Sequence, residues 1–215
     1  MVEVGSFVGS SAVHAWGPLV RKNGGLLLCI DTWQGSADMR LGTKHREFFP
    51  LSHGSPTTYN FLLDRVTNAG MSDVIFPWPI SALAGARGLQ MIGSWKIDVA
   101  YIDSAHDKGE TWMELHRSYA LLRPGGLLMG DDYSWPPVKS DVDLFAGCAG
   151  LTVEVLPSAT APGMWFVRTP MTTRMRMGGS VLTRGVRGLL RSSREIGDHS
   201  RSTSREAYVT LLIGT

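Results

Sequence analysis

Val2-Glu3-Val4-Gly5-Ser6-Phe7-Val8-Gly9-Ser10-Ser11 reads as a short strand, a glycine-bearing turn and the opening of a helix. Gly5 lets the backbone turn sharply and approach a ligand, and Gly9 lets the helix begin close to that ligand. The free N–H groups of the helix start, with the hydroxyls of Ser10 and Ser11, favour an anionic group such as a carboxylate or phosphate. The spacing is G-x-x-x-G and not the G-x-G-x-x-G of dinucleotide-binding turns, which speaks against a nicotinamide cofactor. Asp31 closes the next apolar run, Leu26–Asp31, about where an acid receives the two hydroxyls of a ribose. Turn and acid together predict a nucleoside-bearing cofactor.

Outward from this pair, short β-like runs alternate with longer helix-like segments, the rhythm of βαβ units and a parallel sheet. Strands are expected at Met1–Val4, Leu26–Asp31, Asp73–Phe76, Ile97–Asp103, Leu127–Gly130, Leu151–Leu156 and Met164–Arg168. Helices are expected at Ser11–Lys22, Thr57–Ala69, Ser81–Met91, Lys108–Leu122 and Val138–Ala146. In the fourth, Trp112, Leu115, Tyr119 and Leu122 recur every three or four residues as one buried stripe, and Pro124-Gly125-Gly126 stops the helix. The fold class predicted is α/β, Rossmann-like and doubly wound. Residues 32–56 form a long Gly-, Ser- and His-bearing connection, the kind that is usually functional or mobile.

Two strand ends carry acids. Ile97-Asp98-Val99-Ala100-Tyr101-Ile102-Asp103 is followed by Ser104-Ala105-His106, and Leu127-Leu128-Met129-Gly130 by Asp131-Asp132. Neighbouring parallel strands bring their C-terminal ends side by side, so Asp103, Asp131 and Asp132 should converge. Three carboxylates that close repel unless a cation lies between them, and oxygen ligands suit a hard ion such as Mg2+. Beside such a cation His106 would be held neutral, able to accept a proton near pH 7, which makes it the candidate base. His45 and His53, in the 32–56 connection, are weaker candidates for reaching a substrate.

Composition narrows the class. The 215 residues are 43% hydrophobic and 19% charged, enough for a core and against wholesale disorder. The apolar runs are far shorter than the ~18–20 residues of a membrane span. Glu3 and the early glycines interrupt any secretory leader. Cys29 and Cys148 cannot build a disulfide framework, and no C-x-x-C marks zinc. A cytoplasmic protein is expected. Residues 170–215 hold eight arginines against three acids, a net of +5, which leaves about −3 on residues 1–169. The composition breaks at Pro170, and the domain boundary is placed there. Residues 1–169 are not expected to bind nucleic acid. A helix over 181–196 would put Arg184, Arg187, Arg191 and Arg194 on one face, a pattern suited to weak contact with an anionic membrane or an acidic partner, though the expected state is mostly disordered. The apolar run 207–213 would suit a strand with no fixed partner.

These segments, with Leu122-Arg123-Pro124-Gly125-Gly126-Leu127-Leu128-Met129-Gly130-Asp131-Asp132, resemble the class I S-adenosylmethionine-dependent methyltransferases. The likeness is nearest to the branch of macrocin and mycinamicin sugar O-methyltransferases and their cephalosporin-biosynthesis relatives, and more distant to catechol O-methyltransferase. It spans residues 1 to about 168. The resemblance implies a seven-stranded sheet with one antiparallel strand in its last hairpin. It implies that Gly5, Gly9 and Ser11 line the methionine part of the cofactor, that Asp31 holds its ribose, and that Ser81 lies near its adenine. Glu3 and Asp103 join that cofactor-binding set. Asp103, Asp131 and Asp132 match the divalent-metal ligands and His106 the base of an O-methyltransferase acting on a small-molecule hydroxyl, sugar or phenolic. Trp33, Trp78 and Trp135, each just beyond a strand end, would wall such a site. Family members usually carry cover helices ahead of the first strand, and here Glu3 is the third residue. A misplaced start, a lid supplied from elsewhere or a degraded copy would each account for that, and a homo-oligomer is a separate expectation. The rival readings are a non-catalytic binding protein of this fold and an RNA methyltransferase using the arginine-rich tail.

Overall fold

Leu27 and Cys29 of β2 (Leu27–Asp31) point into one apolar layer and Ile30 into another, the two-residue period of a strand buried on both faces. Helices close each layer. One face carries a π turn at Ala12–Trp16 running into α1 (Gly17–Lys22), together with α2 (Thr58–Asn68); these bury Val13, Val20, Leu62 and Val66. The other carries α3 (Ala82–Ile92), α4 (Glu110–Tyr119) and α5 (Pro136–Ala149), which bury Leu89, Leu115, Val142 and Phe145. The computed structural model describes residues 1–36, 39–40, 45–93, 96–104, 106–156 and 163–171.

A short hairpin of β3 (Leu51–Ser52) and β4 (Ser55–Pro56) stands apart from the main sheet. That sheet joins β2 to β1 (Val2–Val4), β5 (Ile75–Pro79), β6 (Ile97–Ile102), β7 (Leu122–Gly130), β8 (Glu154–Leu156) and β9 (Met164–Arg168). Its seven strands lie in the order β5-β2-β1-β6-β7-β9-β8. β1, β2, β5, β6 and β7 pair in parallel, and β9 pairs antiparallel with both β7 and β8. This is the expected Rossmann-like α/β fold. The strand order reverses at β1, between β2 and β6, so the crevice beyond the C-terminal ends of β1 and β6 is where such sheets bind ligands.

Three of the elements that differ from the sequence-based expectation do so for a clear local reason. The fourth helix ends at Tyr119, and Leu122 is buried as the first residue of β7 and not as the last of the helical stripe. Pro124-Gly125-Gly126 then lies inside β7 as an irregularity, because pairing jumps from Ile97↔Leu122 to Val99↔Leu127. The third sheet strand lies at Ile75–Pro79, later than expected, and contains two prolines. An edge strand tolerates them: Ile80 donates its N–H to the Asp31 carbonyl at 2.9 Å, which turns the even-numbered residues toward β2 and Pro77 and Pro79 away. The opening helix begins as a π turn ahead of Pro18, which lacks an N–H for the carbonyl four residues back.

α4 is held across from α5 by a buried carboxylate. Asp141 accepts the N–H groups of Gly109 at 2.7 Å and Trp112 at 3.1 Å, which fixes the loop that follows β6. The chain divides into two units, Met1–Arg174 and Met175–Thr215, whereas the sequence-based boundary begins the second at Pro170. The expected patterns at 181–196 and 207–213 lie outside the described residues. Among the described residues no helix is long and apolar enough to cross a membrane.

Candidate active site

A cavity of about 340 Å3 opens at this switch point, within the range of small-molecule sites. Gly5, Asp31, Ser81 and Asp103 line it, one from each of the sequence-marked segments around β1, β2, β5 and β6. Gly5 has φ +86°, and a Cβ there would lie 2.0 Å from the Asp103 carbonyl oxygen. Its N–H donates to the Ile30 carbonyl at 2.9 Å, and the Asp103 N–H to the Val4 carbonyl at 2.9 Å, so the ends of three strands meet at this glycine.

Asp31 organises the turn around it. One carboxylate oxygen accepts the Phe7 N–H at 2.8 Å and the other the Trp33 N–H at 2.7 Å, while Trp33 Nε1 donates to the Phe7 carbonyl at 2.6 Å. Phe7 and Trp33 both have positive φ, +46° and +53°, so the carboxylate holds two backbone conformations that side chains disfavour. Each oxygen keeps a lone pair for a ribose hydroxyl. Ser81 caps α3, its Oγ accepting the Ala84 N–H at 3.4 Å.

Glu3, Gly9 and Ser11 lie behind the turn and do not line the cavity. Glu3 is fully buried and accepts hydroxyl hydrogen bonds from Ser6 and Ser11, each at 2.6 Å, and a thiol contact from Cys29 at 3.5 Å. A Cβ on Gly9 would lie 2.3 Å from Leu62 Cδ1, so that glycine lets the turn pack on α2. Burial raises the Glu3 carboxyl to about 6, against the three side-chain hydrogen bonds that pull it down. A raised carboxyl pKa favours the fold below the unfolded value near 4.5, and that contribution is lost as pH rises through about 6. Glu3→Gln removes the titration. Its stability relative to wild type should therefore rise by about 2 kcal/mol between pH 4.5 and pH 7.5 in urea unfolding, and a constant difference would contradict the assignment.

Beside the Asp103 end of the cavity, Asp103, His106 and Asp132 bring three donor atoms within 4.8 Å of one another. His106 Nε2 lies 2.5 Å from Asp132 Oδ2 and 3.8 Å from Asp103 Oδ1, off the line that a ring hydrogen bond needs. Asp103 and Asp132 hold the imidazole up at about 10, against burial, which lowers it. Tyr101 donates its hydroxyl to Asp103 Oδ2 at 3.4 Å, and the Trp135 ring stands 4.7 Å from the His106 ring. Asp131 stays outside the cluster. Its Oδ1 accepts the Asp132 N–H at 2.9 Å, its carbonyl accepts Trp165 Nε1 at 3.0 Å, and burial raises its pKa.

Trp33 lines the cavity, whereas Trp78 packs into the core against α3. His45 leans on Phe7 at 5.9 Å and is exposed, and His53 is exposed at the β3–β4 hairpin. Sequence reasoning missed Phe7, Leu83 and the Glu110, Met113 and Glu114 face of α4, all of which line the cavity. The last three recur at helical spacing, a signal overshadowed by the buried stripe on the same helix.

Residues 2–133 match the family model described as a methyltransferase domain. No curated protein matches the chain. Among solved structures, an O-methyltransferase from Bacillus cereus in complex with S-adenosylhomocysteine aligns with TM-score 0.54 and 14% identity, over 78% of this chain and 71% of that one. The O-methyltransferase TomG from Streptomyces achromogenes, involved in tomaymycin synthesis and in complex with S-adenosylmethionine, aligns with TM-score 0.55 and 16% identity, over 80% and 72%. The strand order, the cavity at its switch point and the domain match over most of the described residues agree, and the chain belongs to the methyltransferase-domain family of S-adenosylmethionine-dependent enzymes.

Proposed function

We propose that the protein transfers the methyl group of S-adenosylmethionine to a hydroxyl oxygen of a small molecule, of the sugar or phenolic class, with a divalent cation such as Mg2+ at the acceptor. The observation that carries this reading is the convergence of Asp103, His106 and Asp132 beside the cavity. Two carboxylates from neighbouring strand ends suit a hard cation that keeps other positions for water or substrate. A cation held by Asp103 and Asp132 would lower the pKa of a coordinated hydroxyl. It would also withdraw the charge that keeps His106 protonated.

The bound cofactor supplies a methyl group activated on a sulfonium sulfur. The chain's part is to hold and to deprotonate. Asp31 and the Gly5 turn fix the donor, His106 Nε2 takes the hydroxyl proton, and Asp132 stabilises the imidazolium that results. Trp135 offers an aromatic wall against which a sugar or phenol ring can rest. The net charge of about −3 on residues 1–169 supports a small acceptor over a nucleic acid. The arginines of 170–215 support weak contact with an anionic membrane or an acidic partner.

Methyl-labelled S-adenosylmethionine offered with catechols, other phenols and sugar glycosides tests the reading, with Mg2+ and with a chelator. Label on a hydroxyl oxygen of one class is expected, reduced at least about tenfold by the chelator. Label only on nitrogen acceptors, or transfer indifferent to chelation, would contradict it.

A further inference from the structure

The cavity is also lined by residues of two helices that pack against each other, α3 and α4. Leu83 at the start of α3 and Met113 of α4 line it there and are 42% and 43% exposed, large apolar side chains held open at the mouth of a cleft. The cavity wall also carries Glu114, next to Met113 in the chain, a half-buried carboxylate that the proposed transfer chemistry does not use. The Ser104 hydroxyl donates to Glu114 Oε2, and Oε1 accepts no hydrogen bond among the described residues. The pair therefore offers a fixed acceptor beside two apolar walls, the requirements of a flat heterocycle with an N–H edge.

We propose that Glu114 reads the base of the bound cofactor, accepting the exocyclic amine of adenine between Leu83 and Met113, and that it sets the preference for an adenosyl over an inosyl group. This rests on the cavity being the cofactor site. Ser81 and Ala82 line the same cavity. An inosyl group puts a carbonyl oxygen where adenine has its amine, so acceptor would face acceptor, and a site built around a hydrogen bond rejects the analogue that cannot make it. Ser104 acts as a positioning residue that fixes the carboxylate rotamer.

The test is calorimetric binding of S-adenosylhomocysteine and S-inosylhomocysteine to the full chain at pH 8.5, above the value near 7 to which burial lifts this carboxyl. Wild type should prefer the adenosyl compound at least about tenfold. Glu114→Ala should bring the preference within about threefold by weakening the adenosyl compound. Glu114→Gln, an isosteric change, should reach a similar ratio by strengthening the inosyl one, because an amide can accept from an amine or donate to a carbonyl. Thermal melts check that both variants are folded. A wild-type preference kept by either folded variant would overturn the role of Glu114, as would no preference in wild type. Failure of folded wild type to bind either compound would overturn the cofactor reading beneath it.

Discussion

Gly5→Ala should cost about 4 kcal/mol or more and leave the protein largely unfolded or without a cavity. Two effects add at this residue. Its φ of +86° disfavours any side chain, and the new Cβ would lie 2.0 Å from the carbonyl oxygen of Asp103 and 2.6 Å from Ser104 Cα. Both are backbone atoms, held by the pairing of β1 with β6, and cannot swing aside. Gly147→Ala is the matched control, because Gly147 lies within α5 and a Cβ there meets nothing within 4 Å. Helix propensity alone should make that variant more stable by about 0.5–1 kcal/mol. Urea unfolding checks both. A Gly5→Ala variant within about 1 kcal/mol of wild type would mean that the turn and β6 do not meet as described.

His106→Ala should lower methyl transfer about 10²–10⁴-fold while S-adenosylhomocysteine affinity stays within about twofold. The separation follows from position: Asp103 lines the cavity, whereas His106 stands beyond it, between Asp132 and Trp135. The same geometry ranks the two adjacent acids of the strand-end pair. Asp132→Ala removes a member of the cluster, whereas Asp131→Ala removes a carboxylate occupied with the Asp132 N–H, so the first should weaken Mg2+ binding more. Single-turnover transfer and metal titration measure these effects. Transfer unchanged in His106→Ala would remove it as the base, and an equal loss of cofactor affinity would mean that it acts through the cavity.

The parallel sheet was legible because Leu27–Asp31, Val99–Ile102 and Leu127–Gly130 are apolar runs that end in or are followed by an acid, and a strand covered on both faces has to read that way. Asp31 was legible for a similar reason, since its place at the end of the second strand follows from topology. The boundaries were less so. Leu122 satisfies a helical stripe and a strand equally well, and what decides is its pairing with Ile97, a contact no local pattern encodes. Pro77 and Pro79 hid how far the edge strand expected at Asp73–Phe76 runs, because proline argues against a strand until it is known which N–H groups face a neighbour. Asp131 and Asp132 are chemically equivalent in sequence. Asp132 adopts φ +59°, a conformation that aspartate tolerates better than most residues, and joins His106 while its neighbour does not. Glu3 and Ser11 sit in the motif yet work from behind it, as a buried hydrogen-bonded strut.

Titrating S-adenosylhomocysteine into the full chain and into Asp31→Ala tests the account most directly. One site of about micromolar affinity is expected in wild type, weakened about a hundredfold or more in the variant, because Asp31 clasps Phe7 and Trp33 and is the acid proposed to receive the ribose. No binding by folded wild type, or affinity unchanged in folded Asp31→Ala, would contradict the assignment of this cavity to the methyl donor.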